Sequence, residues 1–119
     1  MEIEEKSAGN VEILSLNGRL DAYLSNEVER SINALIDKGS VRIVVNLDGV
    51  EYISSSGLRV MLASLKRLKK VQGDIKLACL KPYVKEVFDI AGFTQLFEFY
   101  EQEEEAVNSF KQKGKKKGK

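Results

Sequence analysis

Apolar residues follow two rhythms along the chain, an alternation of two and a repeat of three to four, and the change between them divides it into elements. Glu2 to Glu5 and Val11 to Leu16 read as strands joined by a turn at Ala8-Gly9-Asn10. In the second, Val11, Ile13 and Ser15 point one way and Glu12, Leu14 and Leu16 the other, so part of each face is covered. Val28, Ile32, Leu35 and Ile36 then repeat at helical spacing, with Ser25 predicted as the N-cap and Gly39 as the left-handed stop. Val41 to Leu47 is rich in β-branched residues and reads as a central strand. A loop from Tyr52 to Gly57 leads into a helix marked by Leu58, Met61, Leu62, Leu65 and Leu68, its solvent side carrying Arg59, Lys66, Arg67, Lys69 and Lys70.

After Gln72-Gly73-Asp74 comes a strand from Ile75 to Leu80. Pro82 suits the first position of a third helix, with Val84, Val87, Phe88 and Ala91 facing inward and Gly92 ending it. Leu96 to Tyr100 is a short strand, and Glu103 to Phe110 a last helix with acids at its start and lysines after it, the polarity its dipole favours. Strand and helix in this alternation imply parallel pairs joined by right-handed crossovers. The expected fold is α/β: a mixed sheet with parallel core strands and an antiparallel N-terminal edge, packed by about four helices.

Length and charge refine this picture. The 119 residues suit one domain. Six of the 19 basic residues lie from Lys111 to Lys119, where there is no acid. Residues 1–110 therefore hold 13 basic and 18 acidic groups, a net charge of −5. A mildly acidic domain at 1–110 carries a basic tail at 111–119, which is expected to be disordered. That tail suits either an anionic membrane or RNA at low salt, or a solubilising extension. Direct DNA binding by the domain is not expected, because nothing in it gathers positive charge. No apolar run has transmembrane length, and the acidic start does not read as a signal peptide. Cys79 is the only cysteine, is expected to be buried, and suits a reducing cytoplasm.

The chain has no histidine. Ser-His-Asp and Cys-His catalysis and histidine-ligated metals are thereby excluded, and one Cys excludes a thiolate zinc site. No cofactor or metal site is expected, and the chain is not expected to be an enzyme.

In sheets of this kind functional groups gather where strands end and helices begin. Val50 to Leu58 occupies such a place, with Ser54, Ser55, Ser56 and Gly57 at a helix start. A phosphate there would meet unpaired backbone N–H groups and the positive end of the helix dipole. A serine run also suits simple N-capping, and from the residues alone both readings stand. Asp21 precedes the first helix and suits either a turn after Gly18 or a contact with a partner; Asp48-Gly49 reads as a turn pair. The Lys66 to Lys70 cluster reads as a solvated helix face, and Tyr52 and Phe93 as core or edge aromatics with some exposure.

The segment Asn46-Leu47-Asp48-Gly49-Val50-Glu51-Tyr52-Ile53-Ser54-Ser55-Ser56-Gly57-Leu58 resembles the signature of the STAS domain, found in bacterial anti-sigma factor antagonists. Leu16-Asn17-Gly18-Arg19-Leu20-Asp21-Ala22 is similar to the family's turn before the first helix. The resemblance covers the chain up to Phe110. It implies a phosphorylation-switched binding module with Ser55 as phosphoacceptor, Ser54 and Ser56 as the alternatives, and Ser56-Gly57 opening the helix. It also implies a partner-binding surface of Asp21, Ser54, Ser55, Ser56, Gly57 and Leu58. The implied partners are an anti-sigma factor that is also a serine kinase, sequestered while Ser55 is unmodified, and a phosphatase that resets the switch. The family pattern has Asp where this chain has Ser54. The alternative is a constitutive, unphosphorylated STAS accessory or scaffold subunit of a transport or signalling assembly. A receiver-type aspartyl phosphoacceptor is disfavoured, because Asp48 lacks paired acids near the first strand's end.

Overall fold

The computed structural model describes residues 2–117, with side chains described as far as Lys111. Strand β1 (Ile3–Ala8) turns through Gly9-Asn10 into β2 (Val11–Leu20). Gly9 takes φ +64°, a backbone state that suits glycine in so tight a turn. Helix α1 (Ala22–Asp37) leads to β3 (Arg42–Ile53), α2 (Ser55–Lys69) to β4 (Asp74–Ala78), and α3 (Pro82–Ile90) to β5 (Glu98–Tyr100); α4 (Glu103–Lys117) follows. The sheet order is β1-β2-β3-β4-β5, with β1 antiparallel to β2 and every later pair parallel, as the sequence predicts.

Crossovers of one hand that advance steadily along a sheet stack their helices on one face. The main core accordingly joins Leu14, Leu16 and Leu20 of β2 to Leu24, Val28 and Ile32 of α1, Met61, Leu65 and Leu68 of α2, and Val84 and Phe88 of α3. The opposite face has its own smaller core, where Val11, Ile13, Val44 and Ala78 meet Ala106, Val107 and Phe110 of α4. Both faces of β2 are therefore covered, which is why its apolar residues do not keep to one side. Lys76, also of β4, is buried beside α4; its ammonium donates to Ser109 Oγ at 2.7 Å and pairs with Glu98 at 3.0 Å.

Several local expectations need correction. The N-cap of α1 is Asp21, whose carboxylate accepts from the Leu24 N–H at 3.1 Å. Ser25 lies inside the helix and is buried, because it adjoins Leu24 on the face that carries Val28 and Ile32. Strand β3 continues to Ile53, past the expected end at Leu47. Asp48-Gly49 forms no terminal turn: the register passes from Ser15 opposite Asn46 to Asn17 opposite Gly49, a bulge within the β2–β3 pairing. Asn46 Oδ1 supports it by accepting from the Asp48 N–H at 2.8 Å.

Strand β4 stops at Ala78, and Cys79 follows at φ +63°, half-buried where full burial was expected. Ala91 is exposed, because it caps α3 at its C-terminal end and lies past the turn that faces the core. Helix α4 extends to Lys117, past Phe110, since lysine and glutamine favour continued helix. The expected disordered tail of 111–119 overlaps that helix, and Gly118 and Lys119 lie outside the described residues.

Candidate functional site

The site is built where β2 and β3 end side by side, with Leu20 opposite Ile53. Both residues are buried, so the pair anchors the chain segments that leave it. From β2 the chain enters α1 through Asp21; from β3 it enters α2 through Ser54. Two helix starts are thereby set next to each other by one strand pairing, and Asp21 is brought to the same end of the sheet as Ser54 to Leu58.

Ser54 is extended (φ −92°, ψ 173°) and is the N-cap of α2. Its backbone N–H donates to the Leu20 carbonyl at 3.0 Å, and its hydroxyl donates to the same carbonyl at 2.9 Å. The same hydroxyl oxygen accepts from the Gly57 N–H at 3.2 Å, while the Ser54 carbonyl accepts from the Leu58 N–H at 3.1 Å. Of the four N–H groups without a helical partner at the start of α2, that of Ser54 is satisfied by the Leu20 carbonyl and that of Gly57 by the Ser54 hydroxyl, leaving those of Ser55 and Ser56 at the open end.

Helix α2 opens at Ser55, one residue before the expected Ser56-Gly57 start. Ser55 is exposed, and its hydroxyl makes no hydrogen bond among the described residues. Ser56 is half-buried. Gly57 is buried in a space that admits no side chain: an added Cβ would lie 2.8 Å from Ile53 Cγ1 and 3.0 Å from Leu20 Cγ. Leu58 is half-buried against the main core. The first turn of α2 has no acid, and Lys66, Arg67 and Lys69 occupy its last turn, an arrangement that matches the helix dipole.

The surroundings are partly basic. Arg59, one turn after Ser55, is exposed, and the Arg19 guanidinium lies 4.1 Å from the centre of the half-buried Tyr52 ring. Tyr23, in the first turn of α1, is 67% exposed and was not singled out by sequence reasoning. Its signal was available: with Leu24, Val28 and Ile32 defining the buried face, position 23 falls on the opposite side of the helix, where an aromatic faces solvent.

Other candidates stand apart. Asp48 belongs to the bulge. Arg67, from the basic cluster of α2, donates to Asn33 at 2.6 Å and to Asp37 at 2.7 Å, tying α2 to α1. Phe93 packs with Phe88 and Phe97 at ring separations of 6.3 and 6.1 Å. The Cys79 thiol is pushed up from its ordinary value by burial, which disfavours the reactive thiolate. Among the described residues no group of three or more His, Cys, Asp or Glu side chains is placed to hold a metal ion. Among the described residues no helix is long and apolar enough to cross a membrane.

Comparison with known proteins places this architecture. The model of the STAS domain family matches residues 2–106, and the chain belongs to that family. A Bordetella bronchiseptica protein with the provisional name anti-sigma factor antagonist BtrV is 41% identical over 99 residues, 83% of this chain and 85% of that protein. The anti-sigma-B factor antagonist of Listeria monocytogenes is 27% identical over 98 residues, covering 82% of this chain and 85% of its own. Among solved structures, the anti-sigma factor antagonist SpoIIAA in its unphosphorylated form superposes with a TM-score of 0.82 at 23% identity, covering 92% of this chain and 96% of that one. The phosphorylated form of the Bacillus protein superposes at 0.74 with 23% identity, covering 91% and 98%.

Proposed function

We infer that this protein is an anti-sigma factor antagonist whose partner binding is switched by phosphorylation of Ser55. The family, and the names of the relatives that match over most of their length, support the antagonist role. The single observation that carries the choice of residue is the division of labour among the three serines. Ser54 is committed to two hydrogen bonds, Ser56 is half-buried, and Ser55 offers an exposed, unpartnered hydroxyl at the helix start.

In this reading the chain is a substrate and a binding partner, with no catalysis of its own. Its partner is an anti-sigma factor that is also a serine kinase, and that partner supplies ATP and magnesium. The γ-phosphoryl group passes to Ser55 Oγ, the hydroxyl proton goes to the kinase's base, and ADP leaves. Asp21, Ser54, Ser55, Ser56, Gly57 and Leu58 form the contact surface, joined by Tyr23. The modification adds nearly two negative charges to a helix start that has no acid in its first turn, so a partner shaped to the unmodified surface loses its fit. A phosphatase restores the hydroxyl. SpoIIAA, which shares the fold, is known in unphosphorylated and phosphorylated forms, and this supports the reading.

Mass spectrometry of the tryptic peptide from Ile43 to Arg59, isolated from native cells, tests the assignment. One phosphate localised to Ser55 is expected. Phosphate on Ser54 or Ser56 would transfer the role to that residue. Its absence across growth and stress conditions would favour a constitutive accessory or scaffold subunit.

A further inference from the structure

The Ser54 hydroxyl does two things at once, donating to the Leu20 carbonyl at 2.9 Å and accepting from the Gly57 N–H at 3.2 Å. A carboxylate accepts but does not donate. An aspartate in this place would keep the cap on Gly57, lose the bond to Leu20, and set a negative charge against that carbonyl oxygen. In this chain a neutral donor, and no anion, therefore stands at position 54 beside the proposed phosphoacceptor.

The geometry points to Ser54 as the positioning residue of the switch. Its hydroxyl clamps the start of α2 to the end of β2, which turns Ser55 outward, and it does so without a charge next to the phosphate that Ser55 receives. The inference rests on Ser55 as phosphoacceptor and adds the means by which its doubly charged state is accommodated. The other charged groups at this end are Asp21, which follows Leu20 and is engaged with the Leu24 N–H, Arg19 and Glu51 near the ends of the paired strands, and Arg59 one turn along α2. None of them follows from the identity of residue 54, so substitutions at 54 isolate its contribution.

The test uses the full chain with phosphoserine encoded at position 55, so it does not depend on any kinase. Phosphorus NMR follows the second ionisation of the phosphate against pH in the Ser54 protein and in Ser54→Asp, Ser54→Asn and Ser54→Thr. A carboxylate next door disfavours the dianion, so Ser54→Asp is expected to raise that ionisation by roughly half a pH unit, and added salt to shrink the difference. Ser54→Asn, which caps without charge, is expected to titrate with the parent. Equal titration of the Asp and parent proteins, or an equal rise in the Asn protein, would overturn the charge argument.

The clamp is tested separately by hydrogen exchange of the unmodified protein. Faster exchange of the Gly57 amide is expected in Ser54→Ala and unchanged exchange in Ser54→Thr; an unchanged amide in Ser54→Ala would overturn the positioning role. Absence of phosphate from Ser55 in cells would defeat the proposed function and leave both measurements readable.

Discussion

Gly57 packs against Leu20 so closely that a single methyl group would bring a Cβ to 3.0 Å from Leu20 Cγ and 3.2 Å from the Leu20 carbonyl. In an exposed helix, Gly→Ala gains about 1 kcal/mol of helix propensity. Here the methyl group would also approach Ile53 Cγ1 to 2.8 Å, and overpacking of a buried site costs about 1–3 kcal/mol. The packing cost is expected to win. Gly57→Ala should lower the unfolding free energy measured in urea; an unchanged or raised value would show that Leu20 and Ile53 yield without cost.

Stability and binding should move in opposite directions at Ser55. Because Ser55 is exposed and unpartnered, Ser55→Ala is expected to change stability little and to abolish phosphorylation while preserving partner binding. Ser55→Asp places an anion in a first turn that has none and is expected to stabilise the domain by about 0.3–1 kcal/mol. The same variant should bind the anti-sigma factor more weakly. Parallel thermal melts and binding titrations check this, and a Ser55→Asp protein that binds like wild type would sink the electrostatic switch.

Most of the fold was legible because periodicity reports burial directly: the buried positions of α1 and the two-faced pattern of β2 both followed from spacing. What the spacing missed was decided by contacts distant in sequence. The length of β3 depends on pairing beyond a bulge opposite Asn17, where the Asp48-Gly49 pair imitates a turn. At the start of α1, both Asp21 and Ser25 are acceptable caps by residue type, and only the helix phase selects Asp21. The serine run was visible, but its division of labour was not, since Ser54 is defined by the carbonyl of Leu20, 34 residues away. The part of the site that rests on Asp21 and Ser54 to Leu58 came from resemblance, whereas Tyr23 was legible in the helical spacing of α1 but carried no motif to draw notice.

The buried ammonium of Lys76 anchors α4 and gives a third prediction. Its partner Ser109 is half-buried, and the Phe110 ring centre lies 4.4 Å from the ammonium. Ser109→Ala removes a hydrogen bond to a buried charge and is expected to cost about 1–2 kcal/mol. Lys76→Met removes the charge itself while filling similar volume, and should stay within about 1 kcal/mol of wild type, because a buried ion pair contributes little beyond a well-packed apolar group. Urea unfolding of both variants decides the matter; a Lys76→Met loss larger than that of Ser109→Ala would mean that the charge is a net stabiliser of the α4 face.

Glu103 should make the docking of α4 sensitive to acid. Its carboxylate accepts from Asn46 Nδ2 at 2.8 Å and pairs with the Lys6 ammonium at 3.1 Å, linking the first residue of α4 to β3 and β1. Burial pushes this carboxyl up, but the Asn46 hydrogen bond and Lys6 together outweigh it and hold the group below its ordinary 4.5. A carboxyl that is more acidic folded than unfolded contributes stability above its unfolded value and loses it as the pH falls through the folded one. Glu103→Gln keeps the shape and the acceptor for Asn46 but removes the charge. It is expected to be less stable than wild type at neutral pH by a few tenths to about 1 kcal/mol, since Lys6 is largely exposed. The gap should close as the pH falls through the folded-state value of the wild-type carboxyl, which lies below the ordinary 4.5. Urea unfolding of the two proteins at neutral and acidic pH tests this, and a gap of equal size at both would mean that Glu103 acts through packing and its hydrogen bond, with no contribution from its charge.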